Sequence, residues 1–171
     1  MKSLLSVIAA FTFLSFFSLQ SYAGRNYDSQ TNIEHSIQDV ECAKDIVKSF
    51  FYEGYINHNY NYVMNCLTDN YIDHSPASAR SNSDAVEILK IVHRQFPDLK
   101  ITILDIFAEE DMVGTRIRFE GTHSDTCQGI PATGKYISFE ALENFKVRNN
   151  KIIESWGYWP DNDILRQITV Q

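Results

Sequence analysis

Basic residues are in short supply in this chain of 171 residues: 15 Lys and Arg stand against 22 Asp and Glu, a formal charge of −7 with a pI near 5.1. That deficit argues against sequence-independent binding to nucleic acid or anionic lipid, both of which are held by basic surfaces. Cysteine is scarcer still. Cys42, Cys66 and Cys127 have no CxxC spacing, and the five histidines (His35, His58, His74, His93 and His123) form neither an HExxH nor an HxH pattern. No metal site is expected from such a set. The apolar run from Leu4 to Leu19, interrupted only by Ser and Thr, is shorter than the roughly 20 residues that span a bilayer, and no strongly basic flank follows it.

With Lys2 before it and the small residues of Ser21-Tyr22-Ala23 after it, that run reads as a secretory leader over residues 1–23. The expectation is an exported protein, periplasmic or secreted, that is not held by a membrane once the leader is removed. The remainder carries 14 basic and 22 acidic residues, a charge of −8, and no Cys follows the cleavage site to take a lipid. Export permits disulfides, yet three cysteines allow at most one internal pair. Cys66 shares an apolar helical face with Val63 and Leu67 and reads as a buried thiol, which leaves Cys42 with Cys127 as the candidate pair.

What is present is a globular composition, 44% hydrophobic and 22% charged, of a size that suits one domain. Eleven Phe, nine Tyr and two Trp can serve a core, a ligand cavity or both. Residues 24–39 are polar and lack apolar periodicity, so they read as a flexible arm, with the domain over residues 40–171. Ala43, Ile46, Val47, Phe50, Phe51 and Tyr55 have the three-and-four spacing of an amphipathic helix. A short helix is expected from Tyr60 to Leu67, an extended piece over Tyr71-Ile72-Asp73-His74, and a third helix capped by Asp84 and stopped by Pro97.

The second half changes character. Leu99 to Glu109, Met112 to His123, Lys135 to Arg148 and Lys151 to Trp159 read as strands, with Glu110-Asp111 and Asn149-Asn150 as tight connections. In the second of these, Val113, Thr115, Ile117 and Phe119 alternate with Arg116, Arg118 and Glu120, giving one apolar and one charged face. A last short helix is expected from Asn162 to Ile168. Helices followed by a meander of long strands give an α+β fold in which a curved sheet wraps a helix.

From about Val40 to Ile168 the sequence resembles the SnoaL-like polyketide cyclase, or ester cyclase, group of the nuclear-transport-factor-2-like superfamily. The resemblance rests on Tyr71-Ile72-Asp73-His74, Phe96-Pro97-Asp98-Leu99, Arg116 ahead of Gly121-Thr122-His123, Gly129 to Lys135, Lys151 to Trp156, and Leu165-Arg166-Gln167, in that order and spacing. It implies a cone-shaped α+β barrel with a curved antiparallel or mixed sheet, a cavity at its open end, homodimerisation, and ring closure by aldol chemistry without metal or organic cofactor. It also implies inward-facing His74, Arg116 and His123. In the family pattern an Asp lies between the Trp and the terminal Leu-x-Gln; here Pro160 occupies that position and Asp161 follows it.

The candidate catalytic set is therefore Asp161 as acid/base, His123 and Arg116 as donors to an oxyanion, and His74 as an orienting group. Trp156, Tyr158, Phe119 and Glu154 are the candidate ligand-binding residues. Structural roles compete with each: Arg116 and Arg118 can pair with Glu140 or Glu154 across the sheet, His74 can bond a loop carbonyl, and Asp161 and Asp163 can cap the last helix. Two functions follow. One is a cofactor-independent cyclase, isomerase or lyase acting on a small apolar carbonyl compound; the other is a noncatalytic module that carries a small hydrophobic ligand or forms a dimer scaffold.

Overall fold

The computed structural model describes residues 37–169. The expected leader, and the expected arm up to residue 36, lie outside the described residues. Residues 37–39, read from sequence as the end of the arm, are helical and exposed; a polar first turn carries no apolar period to betray it. Helix α1 continues to residue 51 and buries Ala43, Val47, Phe50 and Phe51 on one face. It runs on into a π-helical turn, Tyr52–Ile56, closed by the Asn57 N–H donating to the Tyr52 carbonyl at 2.9 Å. The wider turn directs Tyr55 inward, edge-on to Phe119 with ring centroids 5.6 Å apart. Gly54 belongs to the same turn, and a β-carbon there would lie 3.1 Å from the Val63 side chain, so glycine lets the next helix approach.

That helix, α2 (Tyr60–Cys66), is capped by the Asn59 side chain, which accepts the Tyr62 N–H at 3.1 Å. Strand β1 (Leu67–Asp73) follows directly. Helix α3 spans Asn82–Gln95, and its cap is Ser81 rather than the expected Asp84. The Ser81 hydroxyl accepts the Asp84 N–H at 3.1 Å, while the Asp84 carboxylate accepts the Arg80 N–H at 3.0 Å. A cap must precede the first turn with extended backbone, which Ser81 has; Asp84, inside that turn, still favours the positive end of the helix dipole.

Strands β2 (Lys100–Glu109), β3 (Met112–Thr122), β4 (Tyr136–Arg148) and β5 (Lys151–Tyr158) complete a five-stranded sheet of order β1-β5-β4-β3-β2. Strand β1 pairs with β5 in parallel and all other pairs are antiparallel. Asn149 and Asn150 both take positive φ (51° and 59°), the conformation of a two-residue hairpin turn. Register shifts in β1, β2 and β4 bend the strands, and the mixed sheet is curled and unclosed. Helix α4 (Asp161–Thr169) is the last described element. The expected α+β fold, with a curved sheet around helices, is what the chain adopts.

The concave face is apolar in the register read from sequence, with Val113, Thr115, Ile117 and Phe119 of β3 all buried. Phe50 and Phe51 of α1 meet Phe145 of β4 edge-on at 5.7 and 5.4 Å, and Ile164 and Ile168 pin α4 against Phe96 and Ile137. All three cysteines are free. Cys66 is buried as expected, and burial pushes its thiol up to about 12. The candidate Cys42–Cys127 bridge is not formed: Cys42 faces the Asn150 side chain in the β4–β5 turn at 3.6 Å, while Cys127 lies in the loop after β3. Among the described residues no helix is long and apolar enough to cross a membrane.

The cap assignment makes a direct prediction. Ser81→Ala should destabilise the protein by about 1 kcal/mol in denaturant unfolding, and Ser81→Asp should be close to neutral; a larger loss from Asp84→Ala than from Ser81→Ala would refute the assignment.

Candidate active site

Alternation along three adjacent strands decides which side chains face the interior. On β4, Ile137, Ala141, Glu143, Phe145 and Val147 are buried while their neighbours are more exposed. On β5, Ser155 and Gly157 are buried while Trp156 and Tyr158 point away, and on β1 Tyr71 and Asp73 share a face two residues apart. Of these inward positions, Tyr71, Asp73, Glu143, Phe145, Ser155 and Gly157 form one wall of a cavity of about 550 Å³, which Ile88, Leu89 and Val92 of α3 and Ile164 of α4 close from the helical side.

Glu143 is the unusual member of that wall, a carboxyl group only 7% exposed in a row of hydrocarbon side chains. Its Oε1 accepts the indole N–H of Trp159 at 3.0 Å, and among the described residues Oε2 has no hydrogen-bond partner. Gly157 makes this bond possible: a β-carbon there would sit 2.9 Å from the Trp159 indole nitrogen and 3.4 Å from Glu143 Oε1. The Thr115 hydroxyl pins the strand beneath by donating to the Glu143 main-chain carbonyl at 2.8 Å. Burial, helped by the negative charge of Asp73 and only partly opposed by the indole bond, pushes the Glu143 carboxyl up to about 8. At neutral pH it is therefore largely a carboxylic acid.

Asp73 faces the same cavity from the end of β1. Its Oδ1 accepts the Ser75 N–H at 2.8 Å and its Oδ2 the Ser75 hydroxyl at 2.6 Å, an Asp-turn fixed by the Ser75-Pro76 bend. The Ser155 hydroxyl reaches Oδ1 at 3.4 Å and is itself 2.5 Å from the Tyr71 hydroxyl. Burial raises the phenols of Tyr55 and Tyr71, so both stay protonated. The arrangement sets a carboxylate held by neutral donors and a neutral carboxylic acid in one apolar cavity.

The sequence-derived candidates scatter by comparison. Asp161 lines the cavity mouth, where the Gln128 amide donates to it at 3.3 Å. Strand β5 ends at Tyr158, and the Trp159 and Pro160 carbonyls already accept bonds from the first turn of α4, so strand parity does not govern Asp161 and Pro160 does not remove it from the cavity. Phe119 also lines it. His123 is fully buried at the end of β3, with Nδ1 2.9 Å from the Thr133 hydroxyl, but it is not a wall residue. Arg116 lies on the convex face, bonded to Asp105 at 2.7 Å and to Glu140 at 2.9 Å, and Arg118 shares Glu140. His74 bonds Glu154 at 2.9 Å and stacks on Trp156 with ring centroids 4.8 Å apart, and Tyr158 is 66% exposed.

The expected convergence of Asp161, His123 and Arg116 on one cavity therefore does not occur. Glu154, Trp156 and Tyr158 have the opposite parity to Ser155 and Gly157, which places them outside. The residues that do converge and that sequence reading missed are Glu143, Asp73, Ser75 and Ser155. A usable signal existed for Glu143, since it interrupts the apolar alternation of β4 at a core-facing position. Among the described residues, no group of three His, Cys, Asp or Glu is placed to hold a metal ion.

The elements thus make a cone-shaped α+β fold with two carboxyl groups, Asp73 and Glu143, on the wall of its cavity. The chain belongs to the SnoaL-like polyketide cyclase family, whose model matches residues 45–168. Among solved structures it is similar to a provisionally designated SnoaL-like polyketide cyclase from Jannaschia sp. CCS1, at 15% identity and TM-score 0.72 over 77% of this chain and 94% of that one. It is also similar to IdmH of Streptomyces antibioticus, provisionally designated a polyketide cyclase, at 25% identity and TM-score 0.66 over 75% and 99%. A third likeness, at 15% identity and TM-score 0.61 over 76% and 91%, is to an LEH-like epoxide hydrolase of M. tuberculosis. No curated protein matches the chain in sequence.

The raised Glu143 carboxyl links stability to pH. Folded protein holds a proton up to about 8 that the unfolded chain releases near 4.5, so this group's contribution to stability falls as pH rises through that window. Glu143→Gln removes the effect. Its melting temperature relative to the unsubstituted protein should rise steadily from pH 5 to 8 and then level off, and a difference that stays constant over this range would contradict the assignment.

Proposed function

We propose that the protein is a cofactor-independent acid–base catalyst of the cyclase or isomerase type, acting on a small, largely apolar carbonyl compound held in the cavity. The observation that carries this reading is Glu143, a buried carboxyl pushed up to about 8 partly by the charge of Asp73 in the same cavity. Two carboxyl groups held at different protonation supply an acid and a base at one pH. Family membership favours the same class of chemistry, and the leader-like residues 1–23 favour action outside the cytoplasm.

The steps balance without any further reagent. Asp73 removes a proton from the carbon beside the substrate carbonyl as Glu143 delivers its own to the carbonyl oxygen, and an enol forms. The enol carbon then attacks a second carbonyl of the same molecule, making a C–C bond. The new hydroxyl takes its proton from Asp73, and the enol O–H returns its proton to Glu143. Among the described residues no Lys, Arg or His lines the cavity to hold a free enolate, which is why simultaneous proton delivery by Glu143 matters. Asp161, at the mouth and bonded to Gln128, lies at the rim of this chemistry.

Exchange of α-hydrogens for deuterium in a panel of small ketones and diketones, followed by proton NMR, tests the reading. Asp73→Asn and Glu143→Gln should each slow exchange by about a hundredfold or more, Asp161→Asn by less than about tenfold, and activity should decline above pH 8 as Glu143 loses its proton. A noncatalytic carrier needs the cavity but not the pair; folded variants that exchange as fast as the unsubstituted protein would leave that role standing instead.

A further inference from the structure

We infer that the cavity takes an organic cation, a ligand whose ammonium group sits among aromatic rings beside Asp73 and Glu143. The inference rests on the reading that this cavity is the ligand site, but it does not require proton transfer there. Its basis is a charge imbalance. Among the described wall residues none is Lys, Arg or His, whereas Asp73, Glu143 and Asp161 all belong to the wall. Basic side chains close by in sequence or space are engaged elsewhere. Arg80 is exposed and donates to the Asp73 main-chain carbonyl at 3.1 Å, not to its carboxylate. His93 is bonded to the Tyr60 hydroxyl at 2.8 Å and to the Tyr55 carbonyl at 3.1 Å, and His74 to Glu154.

A second observation points to an occupant. Glu143 is more than nine-tenths buried, faces the cavity, and offers it an oxygen, Oε2, with no hydrogen-bond partner among the described residues. Around it stand the rings of Phe50, Tyr55, Phe119, Phe139, Phe145 and Trp159. Aromatic faces attract cations, most strongly where water is excluded. The titratable groups that surround Glu143 are Tyr55, Tyr71 and Asp73, with buried Cys127 and exposed Asp161 elsewhere on the wall. None of them brings a positive charge.

With Glu143 protonated and neutral, no described wall residue supplies a positive charge to the cavity. Whichever of Asp73 and Glu143 carries that proton, the pair keeps one net negative charge. A ligand ammonium would compensate this charge at every stage and would leave the pair free to pass its proton. The formal charge of −7 on the whole chain adds long-range attraction for cations and repulsion of anions.

Three probes of nearly equal shape test the inference: benzyltrimethylammonium, its uncharged isostere neopentylbenzene, and the anion 3-phenylpropanoate, titrated into the purified protein by tryptophan fluorescence and calorimetry. The ammonium ion should bind at least about tenfold tighter than the hydrocarbon, and the anion more weakly than both. Near pH 7.5 ammonium binding should release a fraction of a proton, read from the dependence of the heat on buffer ionisation. Glu143→Gln, its folding checked by thermal melting, should abolish the release. Equal affinity for the ammonium ion and the hydrocarbon, tighter binding of the anion, or no binding of any probe would overturn the inference. Ammonium preference without turnover of any ketone would retain it while removing the catalytic reading; turnover without ammonium preference would do the reverse.

Discussion

The hydrogen bond from the Trp159 indole to the Glu143 carboxyl keeps a polar group on the inner face of β4, between Ala141 and Phe145. An ionised carboxylate in that position would lose several kcal/mol of hydration, so the group stays protonated and accepts one well-aimed N–H. Much of the local architecture follows from accommodating that bond. Gly157 has to be a glycine because the indole lies across it, β5 has to end at Tyr158 so that Trp159 can fold inward, and α4 begins directly afterwards with Asp161 at the cavity mouth.

The hydrocarbon part of the fold supports this site from behind. Phe50 and Phe51 lock α1 onto Phe145, one inward position along β4 from Glu143, and the π-helical turn after α1 swings Tyr55 into the same layer. Asp73 is fixed by two hydroxyl groups, that of Ser75 in the bend after β1 and that of Ser155 on β5, which is itself bonded to Tyr71. An uncompensated charge in the cavity is thus the counterpart of a neutral acid beside it. Glu143 keeps its proton in a wall where, among the described residues, no lysine or arginine stands to favour its ionised form.

Much of the fold was legible because periodicity reports which face is buried. The α1 stripe, the β3 alternation and the Asn149-Asn150 turn all translate directly into observed elements. The cap of α3 was misread by three residues, since Ser81 and Asp84 are both good cap formers and only backbone conformation separates them. The site was much less legible. Aromatic residues suggested a lining role for Trp156 and Tyr158, but strand parity turns them outward, and Trp156 packs on His74 instead. Motif resemblance favoured His74 over Asp73, although Asp73 shares its parity with buried Tyr71. The same alternation argument that worked for β3, applied to β4, would have marked Glu143. Which hydroxyls gather around Asp73 depends on the parallel pairing of β1 with β5, a contact between segments some eighty residues apart that local sequence does not encode.

Glu143 is a neutral acid at physiological pH because it is buried beside Asp73. Carbon-13 NMR titration of the Glu143 side-chain carboxyl tests it most directly. The account predicts a midpoint near 8 that moves downward in Asp73→Asn, because one source of repulsion is removed. A midpoint near the ordinary 4.5, or one indifferent to Asp73, would contradict it.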